Sequence, residues 1–390
     1  MIVNNPGVQT TVQDLAGRPG LWDVGVPPSG AADELTFALV NAAVGNPETA
    51  AGLECVLAGP VLTCDEDRLI CVGGAVRNAT VDNLPIRPGV VVRWPAGSVL
   101  DIGALDGPGM RGYMAIQGGL DVPRVLGSRS TFILGGFGGY DGRPLAAGDR
   151  IPLGRQENLL TPLSVELPAI STSWQLRVIP GPHGAPEHLT AEGVDAFFAN
   201  NWIVDHRSDR TGIRLIGPTP GWARTDGGEA GLHPSNVHDS AYPVGGIMLS
   251  GDTPVIVGKD GPSLGGFVVP AVVIEADRWM LGQLSAGDSV QLVPVTQEAA
   301  AEAIRSRRHW LTDLRQEPAP VTVRAGTPDR PNVLHRGDPS GTAPSYTIRC
   351  AGERHLLVEA GPAELDLTVR VWIHLLAQAL RDDRPVGVTE

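Results

Sequence analysis

The chain has 390 residues, 42% hydrophobic and 19% charged, which is enough apolar material for two or three packed domains and excludes a disordered polymer. Fifty glycines and 34 prolines favour short strands joined by turns over long helices. Thirty basic against 43 acidic side chains leave a net charge of −13, which argues against a nucleic-acid partner, since that would need a basic face.

Residues 1–155 read as a first β-rich block. Strands are expected at Ala51–Leu57, Arg68–Val72, Gly89–Trp94 and Arg111–Gln117. One helix is expected over Ala31–Val44, where apolar residues fall at helical spacing and Asn46-Pro47 follows as a stop. Gly135–Gly139 (GGFGG) is a turn. Residues 156–172 connect to a second strand-rich block, Trp174–Val295, with a short helix within Pro186–Asn200 and buried strands at Pro254–Val257 and Phe267–Ile274. Thr296–Arg315 is the clearest helix, rich in strong helix formers, and closes a unit spanning 156–315. Gln316–Ser345 carries six prolines and reads as a linker. In the tail, 346–390, strands are expected at Tyr346–Cys350 and His355–Glu359. A helix over Asp366–Leu380 is expected to bury Leu367, Val371, Ile373, Leu376 and Leu380. A tail of about 45 residues cannot easily cover its own apolar faces, so it is expected to belong to a longer domain or to dock on the preceding blocks.

Cys55, Cys64, Cys71 and Cys350 show no CxxC spacing, so buried thiols are expected rather than zinc or a redox dithiol. No basic-then-apolar leader opens the sequence, and no run of about 18 apolar residues is present; a cytoplasmic setting without a membrane partner is expected.

Four clusters carry polar chemistry. The first, Gln13 to Gly20 (QDLAGRPG) with PSGAAD at 28–33, alternates polar residues with glycine before the first helix. There Ser29 is a candidate cap, and Arg18 with Asp14 a candidate ion pair. The second, QGGLDVP followed by Gly127–Thr131 (GSRST), exposes consecutive backbone N–H groups to an anion, or else is a turn whose Arg129 is anchored to nearby carbonyls. The third, Asp226–Asp239 (DGGEAGLHPSNVHD), is the densest, with two histidines, an amide and three carboxylates. His233 and His238 with Asp239 or Glu229 suggest a metal, but no HExxH-type spacing exists, so direct catalysis is preferred and no metal is expected. The fourth, Gly258–Phe267 (GKDGPSLGGF), presents Lys259 after an apolar strand, either as a site residue or paired with Asp260 in a solvated turn.

QDLAGRPG, PSGAAD, QGGLDVP with GSRST, and RSDRTGIRL resemble, in order over about residues 1–295, the KipA family, which includes allophanate hydrolase subunit 2 and a 5-oxoprolinase subunit. DGGEAGLHPSNVHD and KDGPSLGGFVVPAVV resemble the version found in urea carboxylases and urea amidolyases. TIRCAGERHLLVEAG and LDLTVRVWIHLLAQAL resemble the start of the KipI-like partner domain, incomplete here. The resemblance implies a mainly β (α+β) fold of two β-rich subdomains like cyclophilin barrels, with a partial α+β segment at the C-terminus. It also implies a biotin-dependent carboxyltransferase acting on urea or a urea-like nitrogen. No ATP-grasp region, biotinyl domain or Met-Lys-Met motif is present. Biotin is therefore expected on a separate carrier, and ATP use on a separate biotin carboxylase. The alternatives are a component of a 5-oxoprolinase-type ATP-dependent amide hydrolase and a non-catalytic KipA-type regulatory protein.

For N-carboxylation the expected machinery is Asn236 and Asp239 on the substrate amide, His238 as proton relay, Lys259 as positive charge and Glu229 as an alternative base. Gly265 and Gly266 are expected to allow close backbone approach. Gln13, Arg18, Ser29, Arg129 and Asp260 are second-rank candidates for binding substrate or biotin.

Overall fold

A computed structural model describes residues 1–15, 17–156, 164–314, 331–341, 343–362 and 366–386. The first block contributes ten strands. They are β1 (Ile2–Asn5), β2 (Gln9–Gln13), β3 (Gly52–Val56), β4 (Val61–Thr63), β5 (Arg68–Gly74), β6 (Thr80–Val81), β7 (Leu84–Pro85), β8 (Val92–Trp94), β9 (Val99–Asp101) and β10 (Arg111–Ile116). They form two antiparallel five-stranded sheets, in the orders β1, β4, β9, β6, β7 and β2, β3, β10, β5, β8. Val3, Leu62 and Leu100 of one sheet meet Val12, Leu53, Ile70 and Met114 of the other in a shared core.

The second sheet is buried on both faces, and its side-chain alternation shows it. Met114 and Ile116 of β10 point into the inter-sheet core, while Tyr113 and Ala115 join a different core on the opposite face. That face is covered by helix α1 (Glu34–Ala43). The helix sits close because Gly73 lies beneath it: a Cβ there would stand 2.8 Å from Thr36 Cγ2 and 2.9 Å from Val40 Cγ1. Asp33 caps α1, accepting from Thr36 N at 2.9 Å. The expectation for Ser29 as cap is corrected. Ser29 lies five residues before Glu34, in a left-handed conformation (φ 54°), too far back to reach the free amides of the first turn.

The second block supplies β11 (Ser173–Pro180), α2 (Ala191–Ala199), β12 (Asn201–Val204), β13 (Gly212–Ile216), β14 (Asn236–Ala241), β15 (Gly246–Ser250), β16 (Thr253–Val257), β17 (Leu264–Phe267), β18 (Ala271–Val273) and β19 (Ser289–Pro294). Seven of these strands close into a barrel in the order β11, β18, β15, β16, β13, β12, β19, sealed by the parallel pair β19 and β11. β14 and β17 form a separate two-stranded ribbon. The single strand expected over Phe267–Ile274 is thus two strands. Pro270, which has no N–H to give a ladder, stands where the chain leaves the ribbon and enters the barrel. Of the two β-rich subdomains, the second is a closed barrel and the first is two facing sheets.

Helix α3 (Gln297–Asp313) follows, capped by Thr296, and Leu314 turns left-handed (φ 56°) to end it; the expected terminal residue, Arg315, lies outside the described residues. One apolar core runs from α1 (Leu35, Phe37, Leu39) into the barrel (Leu176, Trp202, Val290) and the short helical turn Glu275–Gly282 (Trp279, Leu281). The two blocks therefore meet across packed hydrophobic material, and the charged groups between them are embedded in it.

The C-terminal segment forms an antiparallel sheet of β20 (Val333–Gly337), β21 (Tyr346–Cys350) and β22 (Leu356–Ala360), then α4 (Leu367–Asp382). Two expectations are corrected. The stretch expected as a linker contains β20, because Val333 to Gly337 has a partner in β21; its part at 316–330 lies outside the described residues. The apolar side of α4 is not buried: Leu367 is 72% and Val371 57% exposed, Ile373 and Leu380 are also exposed, and Leu376 is half-buried. The segment is held to the barrel through its sheet instead. Asn332 Nδ2 donates to Gly181 O at 2.6 Å, and Arg349 Nη1 to Glu187 Oε2 at 2.7 Å.

All four cysteines are buried free thiols. Among the described residues no helix is long and apolar enough to cross a membrane, and no cluster of His, Cys, Asp and Glu could hold a metal ion.

Candidate functional site

The motif residues of the first block meet at one carboxylate. Asp14, buried just after β2, accepts on Oδ1 from Gly17 N (3.1 Å), Ser128 Oγ (2.8 Å) and Ser130 Oγ (2.6 Å), and on Oδ2 from Arg129 N (2.6 Å). The Gly/Ser loop at 127–131 does present donors to an anion, and that anion is the protein's own. Arg129 Nε is anchored on Val122 O at 2.9 Å. The expected Arg18–Asp14 pair is corrected. Arg18 donates through Nε to Val125 O (3.1 Å) and through Nη2 to Ser130 O, and its guanidinium lies over the Phe137 ring at 5.1 Å. Gly138, in the GGFGG turn, must be glycine, since a Cβ there would overlap Ser130 O and the guanidinium itself. Gln13 donates to Thr11 Oγ1 at 3.1 Å. Among the described residues, three sealed polar atoms of this group have no hydrogen-bond partner: Gln13 Oε1, Arg18 Nη1 and Ser29 Oγ.

Ser29 N donates to Lys259 O at 3.0 Å, which ties this loop group to the turn after β16. The Lys259 ammonium rests on Glu34 Oε1 at the start of α1, and Arg307 of α3 holds Glu34 Oε2 at 2.9 Å. Lys259 is therefore not paired with Asp260. Asp260 accepts from Arg210 Nε (2.6 Å) and Nη2 (3.3 Å), and Arg210 also reaches Glu54 Oε1 (2.7 Å) and Gly30 O (2.7 Å). The reason is burial: Glu54 is a sealed charge, which must pair or be excluded, and Arg210, 11% exposed, has Asp260 as the second acid within reach of its guanidinium. Burial alone raises the Glu34 carboxyl, but Lys259 and Arg307 outweigh it and bring it down to about 2. Glu54 is likewise raised by burial and then held below the usual carboxylate range by Arg210 and Arg111. Asp33 has no such cation. Burial pushes it up to about 6 against hydrogen bonds from Gln283 and Thr36.

The ribbon is a different environment. Asn236 Oδ1 accepts from His233 N at 3.0 Å and so closes its own turn. His238 and Asp239 are exposed on β14, and their side chains have no hydrogen-bond or ion-pair partner among the described residues. Glu229 is exposed in the short helical turn Gly228–Ala230. The glycines of β17 have a packing cause of their own. A Cβ on Gly265 would enter the Tyr242 ring, and one on Gly266 would stand 2.8 Å from Val237 O. His233 Nδ1 meets Ser235 Oγ at 2.9 Å, and Nε2 stands 3.7 Å from Asp252. Ser235 is fully buried, so the trio braces the loop and cannot offer a nucleophile.

The candidates thus fall into two sets. Gln13, Arg18, Ser29, Arg129, Lys259 and Asp260 are linked at the junction of the blocks; Asn236, His238, Asp239, Gly265 and Gly266 share the ribbon, with Glu229 in the loop before it. Among the described residues no side-chain hydrogen bond or ion pair joins Lys259 to the ribbon set. Sequence reasoning missed Glu34, Glu54, Arg111, Arg210, Arg278 and Arg307. A usable signal existed for Glu54, a lone acid between Leu53 and Cys55 in a strand read as buried.

A model of the carboxyltransferase domain, subdomain A and B, matches residues 24–294. The urea amidolyase of Lachancea kluyveri is 41% identical over 100% of this chain and 22% of its own length. A 5-oxoprolinase subunit of Escherichia coli is 32% identical over 79% of this chain and 95% of its own. The crystal structure of the Kluyveromyces lactis urea carboxylase superposes with a TM-score of 0.94 at 39% identity, over 100% of this chain and 36% of that one. The chain spans about a fifth of the length of the curated urea amidolyases it matches. With a family model covering most of the chain and solved relatives of the same fold throughout, this protein belongs to the carboxyltransferase domain family, subdomains A and B.

Proposed function

We propose that this chain carries out the carboxyl-transfer step of a biotin-dependent, urea-carboxylase-type enzyme, placing a carboxyl group on a urea nitrogen to give allophanate. The supporting observation is the whole-chain likeness to urea amidolyase, which extends through the C-terminal segment. The likeness to the 5-oxoprolinase subunit extends over only part of this chain. When bound, carboxybiotin on a carrier domain supplies the carboxyl group. The urea nitrogen would form the new C–N bond as the bond between the carboxyl carbon and the biotin ureido nitrogen breaks, and the proton that the urea nitrogen loses would pass, directly or through a base, to the departing ureido group. Lys259 presents an ammonium whose position is fixed from behind by Glu34 and Arg307, suited to the oxyanion that develops during transfer. His238 is exposed and, among the described residues, unpartnered, as suits a group that takes a proton from a docked substrate. Asn236 and Asp239 offer an amide and a carboxylate on the same strand for the urea N–H and C=O groups. Glu229 is a second base in reach of the same loop. Gln13, Arg18, Ser29, Arg129 and Asp260 are second-rank candidates for holding substrate or biotin, and of these Ser29 N donates to Lys259 O.

The reading implies a biotin carboxylase, a biotin carrier and a KipI-like partner domain working with this chain. The test is reverse transfer. The protein, joined to a KipI-like partner domain, is mixed with free biotin and allophanate, and carboxybiotin formation is followed. Formation above the protein-free rate is the expected result. No formation, together with 5-oxoproline turnover once ATP and partner subunits are added, replaces this reading with lactam opening. Inactivity in both assays moves the chain to a regulatory role.

A further inference from the structure

The turn 351–355 between β21 and β22 meets the rest of the chain at two places, and each leads to Lys259. Ala351 N donates to His355 O at 3.1 Å and closes the turn. Gly352 (φ 91°) lets it lie on β18, since a Cβ there would stand 3.0 Å from Val272 Cγ1. On one side, Glu353 Oε2 accepts from Glu275 N, and Arg354 Nε donates to Glu275 Oε2 at 2.5 Å. Glu275 O accepts from Arg307 Nη1 at 2.9 Å, Arg307 Nη2 holds Glu34 Oε2 at 2.9 Å, and Glu34 Oε1 holds the Lys259 ammonium. On the other side, the His355 ring stands 5.9 Å from the Trp22 ring between centroids. Trp22 belongs to a loop whose ends are tied by Arg18 N to Pro28 O at 2.6 Å, and the next residue, Ser29, donates from N to Lys259 O at 3.0 Å. The ammonium and the backbone of Lys259 are thus each linked to the same turn.

The outer half of this contact contributes little to docking, because Arg354 is 52% exposed and a surface ion pair is weak. Glu353 is different. It is half-buried, and burial raises its carboxyl against the hydrogen bond from Glu275 N and the charge of Arg278. Among the described residues its Oε1 is sealed with no hydrogen-bond partner. An apolar side chain would dock the turn at least as well as a half-buried acid. What the acid supplies is direction: an acceptor that fixes one amide at the start of the turn Glu275–Gly282. We propose that Glu353 is a positioning residue for Lys259. By fixing Glu275 it fixes Arg307 and Glu34, and through them the ammonium, while His355 steadies the loop that holds the Lys259 backbone. The C-terminal segment then sets the geometry of the transfer site as well as docking beside it. The use of Lys259 rests on the carboxyl-transfer reading; its placement by Glu353 does not.

Lys259 is the only lysine in the chain, so an amine-acylating reagent reads it alone beside the N-terminal amine, which rests on Ile151 O and serves as internal reference. The Lys259 side chain is 15% exposed against Glu34, and its acylation reports release from that carboxylate. In the full chain, treatment with acetic anhydride followed by peptide mass spectrometry is expected to show Lys259 acylated about tenfold faster in Glu353→Ala than in wild type. In the reverse-transfer assay kcat is expected to fall about tenfold in the same variant, with KM for biotin unchanged. Glu353→Gln, which keeps an acceptor for Glu275 N, restores both. Asn332→Ala, which loosens the same segment at its Gly181 contact, moves neither. Melting temperatures verify folding, and should Glu353→Ala melt early, His355→Ala carries the comparison in the same direction. Unchanged Lys259 acylation in both Glu353→Ala and His355→Ala overturns the proposal, whatever transfer does. So does equal acceleration in Asn332→Ala or in Glu353→Gln. Acylation that accelerates in Glu353→Ala alone, in a protein whose wild type carboxylates no biotin, leaves the positioning role standing and removes the transfer reading instead.

Discussion

At the junction, Glu34 holds Lys259, and Glu54 and Asp260 share Arg210, each within hydrogen-bond distance and from a distant part of the chain. On the ribbon, His238 and Asp239 carry polar chemistry just as dense in sequence, yet stand exposed and unpartnered among the described residues. A polar run such as DGGEAGLHPSNVHD marks a water-facing loop as readily as a reaction centre, because solvent tolerates any order of polar groups. An isolated charge in an apolar strand is a stronger sign of a built network, because burial tolerates only one arrangement of partners.

The sharpest way to break this contrast is Glu54→Gln. It leaves Arg210 and Arg111 as buried cations short of a counter-charge and is expected to cost about 3–5 kcal/mol, read as a loss of unfolding free energy in urea. Adding Arg210→Met should cost much less than the sum of the two changes, since the pair shares one interaction. Additive losses would show that the network is not coupled. Asp14→Ala comes next. Four donors lose their acceptor at once, and a loss of about 2–3 kcal/mol is expected. It should exceed the loss in Asp14→Asn, which keeps one oxygen.

Acid titration separates two adjacent carboxylates at the start of α1. Glu34 has a folded value of about 2, below its unfolded value of roughly 4.3. Its contribution is complete above the unfolded value and is lost as pH falls toward 2. Asp33 has the opposite sign, with a folded value of about 6 above a reference of 3.8. It favours the folded state at pH below 3.8, and that favour is lost as pH rises through 6. Asp33→Asn should therefore flatten the stability profile between pH 4 and 7 by about 1–2 kcal/mol without moving the acid limb that Glu34 sets. A profile identical to wild type would show that Asp33 ionises freely in the fold.

Much of the architecture was legible. The strand-like stretch Arg111–Gln117, set off by glycines, and the apolar spacing after Ala31 placed β10 and α1 within a few residues, because both signals are local. Barrel closure was not legible, since β11 pairs with β19 across more than a hundred intervening residues, and no local pattern encodes that choice. The motif residues Gln13, Arg18, Ser29 and Arg129 were identified, but the convergence of Gly17, Ser128, Arg129 and Ser130 on the Asp14 carboxylate was not. A carboxylate that accepts four bonds is indistinguishable in sequence from one that accepts none. The pairing of Lys259 with Glu34 was missed for a related reason. The adjacent Asp260 was the obvious partner in sequence, and only the fold brings α1 to the turn.

The smallest expected effect on stability is at the ribbon, and it offers the clearest separation of structure from chemistry. His238→Ala and Asp239→Ala remove side chains that support nothing in the fold, so each should change the unfolding free energy by less than about 0.5 kcal/mol. Any loss of carboxyl transfer in these variants is then a loss of chemistry. Lys259→Ala is the counterpart at the junction. It leaves Glu34 with Arg307 alone, so transfer and stability should fall together, and Lys259→Arg should restore more of the stability than of the transfer. If His238→Ala and Lys259→Ala both leave reverse transfer unchanged, neither set holds the reaction. If only Lys259→Ala abolishes it, the reaction belongs to the junction, and the ribbon's polar density is a feature of its exposure. Loss in both would mean that a substrate bridges the two sets, joining an exposed base on one side to a braced cation on the other.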